Sequence, residues 1–195
     1  GKEVSKYFNL LYLDTGKIYR YLAFLKIKYP KKYNYNFLKT KISKLKLNDL
    51  SKKILSNDNI GTLASEIAKD KKVRKIVHKF QINCAYKFPK IFNGCCLDGR
   101  DITYKIIPDA DFKFFITASL KVRSIRRYKE LKRLGKKTSL AEVKKSIKKR
   151  DYRDYNRRIS PLKRTKDSIL INTSNLTKKA CFLKIKNIIE KEIKN

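Results

Sequence analysis

Three groups of residues in this chain have the means to hold an anion. The first is Asp14-Thr15-Gly16-Lys17-Ile18-Tyr19-Arg20, where a short apolar run stops at a hydroxyl and a glycine and an amphipathic run begins. Backbone N–H groups at such a helix start favour negative charge. Arg20, about one turn further on, could reach the same anion with two parallel hydrogen bonds. The second group is Asp98-Gly99-Arg100-Asp101, again directly after an apolar run. Turn formation and helix capping would also place polar residues there, although a cap needs only one of them. The third lies in the stretch that starts at Leu140. Leu140, Val143 and Ile147 mark an apolar stripe, and the same spacing continues onto Arg150, Asp154 and Arg157. Charges that continue an apolar stripe in phase face the protein and need partners there. Two readings stay open: a bound anionic ligand, or an i,i+4 ion-pair ladder among the three. Further arginines gather at Arg123, Arg126, Arg127 and Arg133. Arginine is the residue of planar phosphate recognition, so its clustering says more than any one lysine in so lysine-rich a chain.

The elements that must position these groups follow from the apolar pattern. Short apolar runs alternate with longer amphipathic ones, which predicts an α/β fold with a parallel sheet. Residues 10–13, 95–97, 112–116 and 169–171 read as buried strands, each followed at once by small or polar residues. In open parallel sheets, ligands bind at the carboxyl ends of the strands. Thr173-Ser174-Asn175 reads more simply as the cap of the last helix. Helices are predicted over 17–28, 63–80, 120–134 (stopped by Gly135), 140–157 and 176–193. The lysine- and asparagine-rich stretch 31–59 carries few strong signals and is expected to be partly irregular.

Composition narrows the classes. The 195 residues suit one domain of ordinary size, and 42% hydrophobic residues can build a core. Fifty-one Lys and Arg against seventeen Asp and Glu give a formal charge of +34. That excess attracts anions such as nucleic acid or nucleotide phosphate. AT-rich coding, which also enriches Asn, Ile and Tyr, explains much of the lysine equally well. The four cysteines form no C-x-x-C pair and His78 is the single histidine, which argues against zinc and for free thiols in a reducing cytoplasm. No apolar run approaches the roughly 18–20 residues of a membrane span.

Taken together, the motifs resemble those of bacterial cytidylate kinases. Leu13-Asp14-Thr15-Gly16-Lys17-Ile18-Tyr19-Arg20 is similar to their LDTGAIYR motif. Ser65 and Arg74 stand at the spacing of their S-x8-R segment. Asp98-Gly99-Arg100-Asp101 followed by Pro108-Asp109-Ala110 resembles DGRD…PDA. Arg150-Asp151-Tyr152-Arg153-Asp154-Tyr155-Asn156-Arg157 with Pro161-Leu162 resembles RDxRDxNR…PL. The likeness runs from about Tyr7 to the C-terminus, and the combination of motifs is specific where each alone is weak.

The resemblance implies phosphoryl transfer from ATP, with Mg2+, to CMP or dCMP in pyrimidine nucleotide metabolism, by a cytoplasmic monomer. It implies a single domain of three-layer α/β P-loop kinase type, with an acceptor-binding insert at about 30–90 and a helical lid at about 128–157. Thr15, Arg20 and Arg100 would hold the acceptor phosphate, and Ser65, Arg74 and Asp101 the cytosine. Arg150 and Asp154 would contact the sugar, and Arg127 and Arg157 the phosphates in transfer. Three departures stand out. The N-terminal strand and the glycine-rich G-x-x-x-x-G-K-[ST] loop are missing from this sequence, which reads either as a fragment or as a natural form without the loop. Residues 1–8 then read as the helix after that loop, Lys2 is the one candidate for ATP contact, and the chain as written is expected to bind ATP poorly. Ile102-Thr103-Tyr104 replaces x-G-T. The segment between Arg20 and Ser65 is short, which implies that a small β segment of the insert is reduced. The rival expectations are a non-catalytic CMP-binding relative and a basic RNA-binding protein using lysines interleaved with aromatic rings.

Overall fold

The structure, a computed structural model, describes residues 1–194 and is mixed α/β. It divides into two compact units, Gly1–Pro108 and Asp109–Asn195.

In the first unit, α1 (Lys2–Tyr7) leads into β1 (Leu10–Asp14), which pairs in parallel with β2 (Gly94–Asp98), Leu11 opposite Cys95 and Asp14 opposite Asp98. A parallel pair needs a long crossover, and here the crossover carries the helices. β1 turns directly into α2 (Thr15–Lys28), whose N-cap Asp14 accepts a hydrogen bond from the Gly16 N–H at 3.1 Å. α3 (Tyr35–Ser43), 3-10 turns at Leu47–Ser51 and Lys53–Ser56, α4 (Asp58–Ile67) and α5 (Lys71–Tyr86) complete it. The stretch 31–59 is thus a series of short helices, and no strand is described between Arg20 and Ser65. Its order comes from a core of Leu13, Ile18, Leu22, Leu38, Leu50 and Val77, all buried.

The helix expected over 63–80 is two helices. The break at 68–70 is made by Asp70, whose carboxylate caps α5 by accepting from the N–H groups of Lys72 and Val73 at 2.7 and 3.1 Å. Aspartate favours such caps over helix interiors. After β2, the residues that replace x-G-T form a π-helical turn, Ile102–Ile106, with Ile102 and Ile106 buried.

In the second unit, β3 (Phe114–Thr117) pairs in parallel with β4 (Ile169–Asn172). These strands are less buried than their apolar runs predict: Ile116, Ile169 and Leu170 stay exposed while Ile171 is fully buried. The sheet described has two strands, each paired along one edge. α6 (Leu120–Arg133) ends as predicted at Gly135, with φ +71° and the Lys136 N–H bonded to the Leu131 carbonyl at 3.0 Å. α7 (Leu140–Asn156) opens with a capping box between Ser139 and Glu142. α8 (Lys178–Lys194) starts later than expected: Thr177 Oγ1 accepts from the Ala180 N–H. Thr173 is not the cap of that helix. Its hydroxyl donates to the Thr117 carbonyl at 3.0 Å and accepts from Arg126, fastening the end of β4.

Candidate functional site

The first unit gathers its candidate residues at the carboxyl ends of β1 and β2. Thr15, the first residue of α2, is buried, and its hydroxyl donates to the Asp98 carbonyl at 2.7 Å. The start of α2 is thereby tied to the end of β2. One turn along α2, Arg20 Nη1 donates to the carbonyls of Leu55 and Asn57 at 2.8 and 2.9 Å. Arg20 lies beside Gly61, where a Cβ would fall 2.7 Å from Nη2. Ser65, also on α4, donates from Oγ to the Gly61 carbonyl at 3.1 Å.

Arg74 and Asp101 meet. They come from α5 and from the bend after β2, yet the Arg74 Nη2 and the Asp101 Oδ2 form an ion pair, with both residues buried. Arg74 Nη1 also donates to the Ala68 carbonyl at 3.2 Å, and its guanidinium lies over the Tyr19 ring at 5.6 Å. A buried charge needs such partners on every side to offset its lost hydration. Arg100 is half-buried on the same bend. Tyr12, on β1, donates to Asp98 Oδ2 at 2.7 Å; burial first and the neighbouring carboxylates next hold its hydroxyl firmly protonated. Lys2 is exposed on α1. Burial pushes the Cys84 thiol up to about 11.

The second unit arranges its arginines differently. Asp154 stands between Arg150, at 3.7 Å, and Arg157, at 3.8 Å, so the ion-pair ladder is present. The stripe that leads to them is buried only at Val143; Ile147 is half-buried and Leu140 is exposed. Along α7 the side of the helix that is covered is therefore narrower than the apolar spacing predicts. Asp154 and Arg157 are mostly covered, whereas Arg150 is open to solvent. Arg157 Nε donates to the Ser160 carbonyl at 2.5 Å, which fastens it to the turn that leads to Pro161. Arg127 pairs with Glu130 at 3.0 Å. Arg123 and Arg126 serve the scaffold: Arg123 bridges the Ala118 carbonyl and Asp151, and Arg126 holds the Thr173 and Leu176 carbonyls.

Reasoning from residue types missed Tyr19, Gly61 and the carbonyls of Leu55, Asn57 and Ala68. Tyr19 lies inside the first motif, so its position was a usable signal. Backbone carbonyls leave no trace in a sequence.

Parallel strands feeding helices, with hydroxyl, arginine and carboxylate groups at the strand ends, define an α/β protein of the phosphate-handling class. The cytidylate kinase profile matches residues 1–191. A cytidylate kinase of Clostridium botulinum (strain Okra / Type B1) is 36% identical over 203 residues, covering 98% of this chain and 91% of its own. One of Clostridium tetani is 36% identical over 204 residues, covering 99% and 88%. One of Mesomycoplasma hyopneumoniae (strain 7448) is 34% identical over 206 residues, covering 99% and 88%. The chain belongs to the cytidylate kinase family.

Proposed function

We infer that this chain is a phosphotransferase that moves the γ-phosphoryl of ATP onto CMP or dCMP, giving CDP or dCDP. Membership of the family favours this over a basic RNA-binding protein. The observation that best supports a base-reading role is the buried Arg74–Asp101 pair. A guanidinium donates and a carboxylate accepts, so the two together match a base edge that presents both kinds of group.

The roles are assigned as follows. Thr15, Arg20 and Arg100 hold the acceptor phosphate. Ser65, Arg74 and Asp101 read the cytosine. Arg150 and Asp154 contact the sugar. Arg127 and Arg157 act on the phosphates in transfer, and Lys2 is the one candidate for the donor. Phosphoryl transfer asks the protein for positioning and for stabilisation of spreading negative charge, and little else. Fixed arginines do both without reorganising. Mg2+ is assigned to the donor, carried on the ATP phosphates. Among the described residues, no group of three His, Cys, Asp or Glu side chains is assembled to cage a metal. The finer architecture is proposed to be the three-layer P-loop kinase fold in one domain, with the insert at 30–90 and the lid at 128–157. The protein is proposed to act as a cytoplasmic monomer. No helix among the described residues is long and apolar enough to cross a membrane.

The test is ADP release from ATP and Mg2+ in the presence of CMP, dCMP, UMP or AMP. At ATP concentrations high enough to offset weak donor binding, release that depends on CMP or dCMP and falls with UMP and AMP is expected. Equal rates with all four, or CMP that neither drives ADP release nor binds, would contradict the reading.

A further inference from the structure

We propose that Gly61 is a positioning residue for acceptor recognition: its missing side chain is the seat of the Arg20 guanidinium and governs how firmly the acceptor phosphate is held. The proposal rests on the reading of Arg20 as a phosphate-binding group.

Gly61 is the fourth residue of α4, its N–H already bonded within the helix, and there helix propensity disfavours glycine against alanine. Something other than helix stability accounts for it. A Cβ at this position would lie 2.7 Å from Arg20 Nη2, 3.0 Å from Cζ and 3.1 Å from Nη1. The whole guanidinium plane therefore rests against the bare Cα. The backbone of Gly61 is engaged on both sides as well. Its N–H donates to the Asn57 carbonyl at 3.0 Å, the same oxygen that accepts from Arg20 Nη1 at 2.9 Å. Its own carbonyl accepts from Ser65 Oγ at 3.1 Å. One residue thus touches the phosphate reader on α2 and the base reader on α4.

A methyl group at Gly61 has two ways to find room. The helix could shift, at the cost of its packed face: Ile60 and Ala64 on either side are buried. Alternatively the Arg20 guanidinium, the far end of a flexible side chain, could swing away. The second is far cheaper. The substitution would leave the fold intact and move one of the three groups assigned to the acceptor phosphate.

The experiment compares the 195-residue chain with G61A, R20A and the double variant G61A/R20A. CMP affinity is measured by calorimetry, cytidine affinity by chemical-shift titration, and thermal unfolding is followed for each. In G61A, CMP affinity is expected to fall about tenfold, as for a displaced charge-assisted hydrogen bond. Cytidine, which lacks the phosphate, is expected to bind G61A as it binds the parent chain. The melting temperature of G61A is expected to be unchanged or higher. Adding G61A to R20A is expected to cost nothing more, because the group it displaces is already gone. CMP binding to G61A at parental affinity would overturn the proposal alone. So would an equal loss of CMP and cytidine, which would mark a general distortion, or a G61A effect that persists in R20A. Parental CMP affinity in R20A would overturn the reading of Arg20 and the proposal with it.

Discussion

Arg74 and Asp101 form the most committed interaction among the candidate residues. Both are buried, and each is the other's charge partner. Such pairs add little net stability over apolar packing, but removing one member leaves a buried charge uncompensated. Asp101→Asn is therefore expected to destabilise the fold by roughly 3 kcal/mol in denaturant unfolding, and to erase discrimination between CMP and UMP. Asp154→Ala and Arg157→Ala differ in kind, because their pairing distances are long and they lie at the end of a helix. Either change is expected to weaken CMP binding in calorimetry while moving unfolding by less than about 1 kcal/mol. Parental CMP affinity in both would contradict the roles proposed for Asp154 and Arg157. At this scale much was legible beforehand, because arginine and aspartate at strand ends are visible as letters. The partners that fix them were less so: Tyr19 carries no charge, and the carbonyls of Leu55, Asn57 and Ala68 belong to every residue type alike.

The elements are positioned by a small number of caps. Asp70 separates α4 from α5, and that break brings the Ala68 carbonyl within reach of Arg74. The apolar spacing on either side suggests one helix through this point, although the step of six from Ile67 to Val73 falls about 120° out of phase on a helix of 3.6 residues per turn. The aspartate that ends it acts through its own hydrogen bonds and not through periodicity. Asp70→Ala is expected to cost about 1 kcal/mol and to weaken CMP binding by loosening Arg74. Burial alone would raise the Asp70 carboxyl, but the Tyr35 hydroxyl and the Val73 and Lys72 amides outweigh it and hold the carboxyl below its ordinary value. A depressed carboxylate stabilises the fold fully above its unfolded pKa near 4. That stability is lost as pH falls through the lower folded value. The melting temperature of the parent chain should thus drop as pH falls below about 4, and Asp70→Ala should flatten that dependence. Gly135 was legible because a left-handed residue after a lysine-rich helix end has few other candidates. Gly135→Ala, at φ +71°, is expected to cost about 1 kcal/mol even though space is open around it.

For the whole molecule, charge dominates. A formal +34 over 195 residues repels itself, and the repulsion between exposed lysines is screened by salt. Raising KCl from low to physiological concentration is expected to raise the melting temperature, and CMP, as an anion, to stabilise the chain most at low salt. A melting temperature that falls with salt would show instead that specific ion pairs outweigh the net field. The α/β class and the four strands could be read from apolar runs alone, but the reduced burial of the second unit's strands could not. A run of apolar letters does not reveal how many neighbours its strand will have, and Ile116, Ile169 and Leu170 look no different in sequence from fully buried residues. The proposed function has base and phosphate read together by residues of the first unit. The most direct test is a calorimetric titration of the chain with CMP and, separately, UMP. CMP is predicted to bind at least about tenfold more tightly, the usual worth of a base-edge hydrogen bond to a charged group. Equal affinity for the two, or no binding of either, would contradict it.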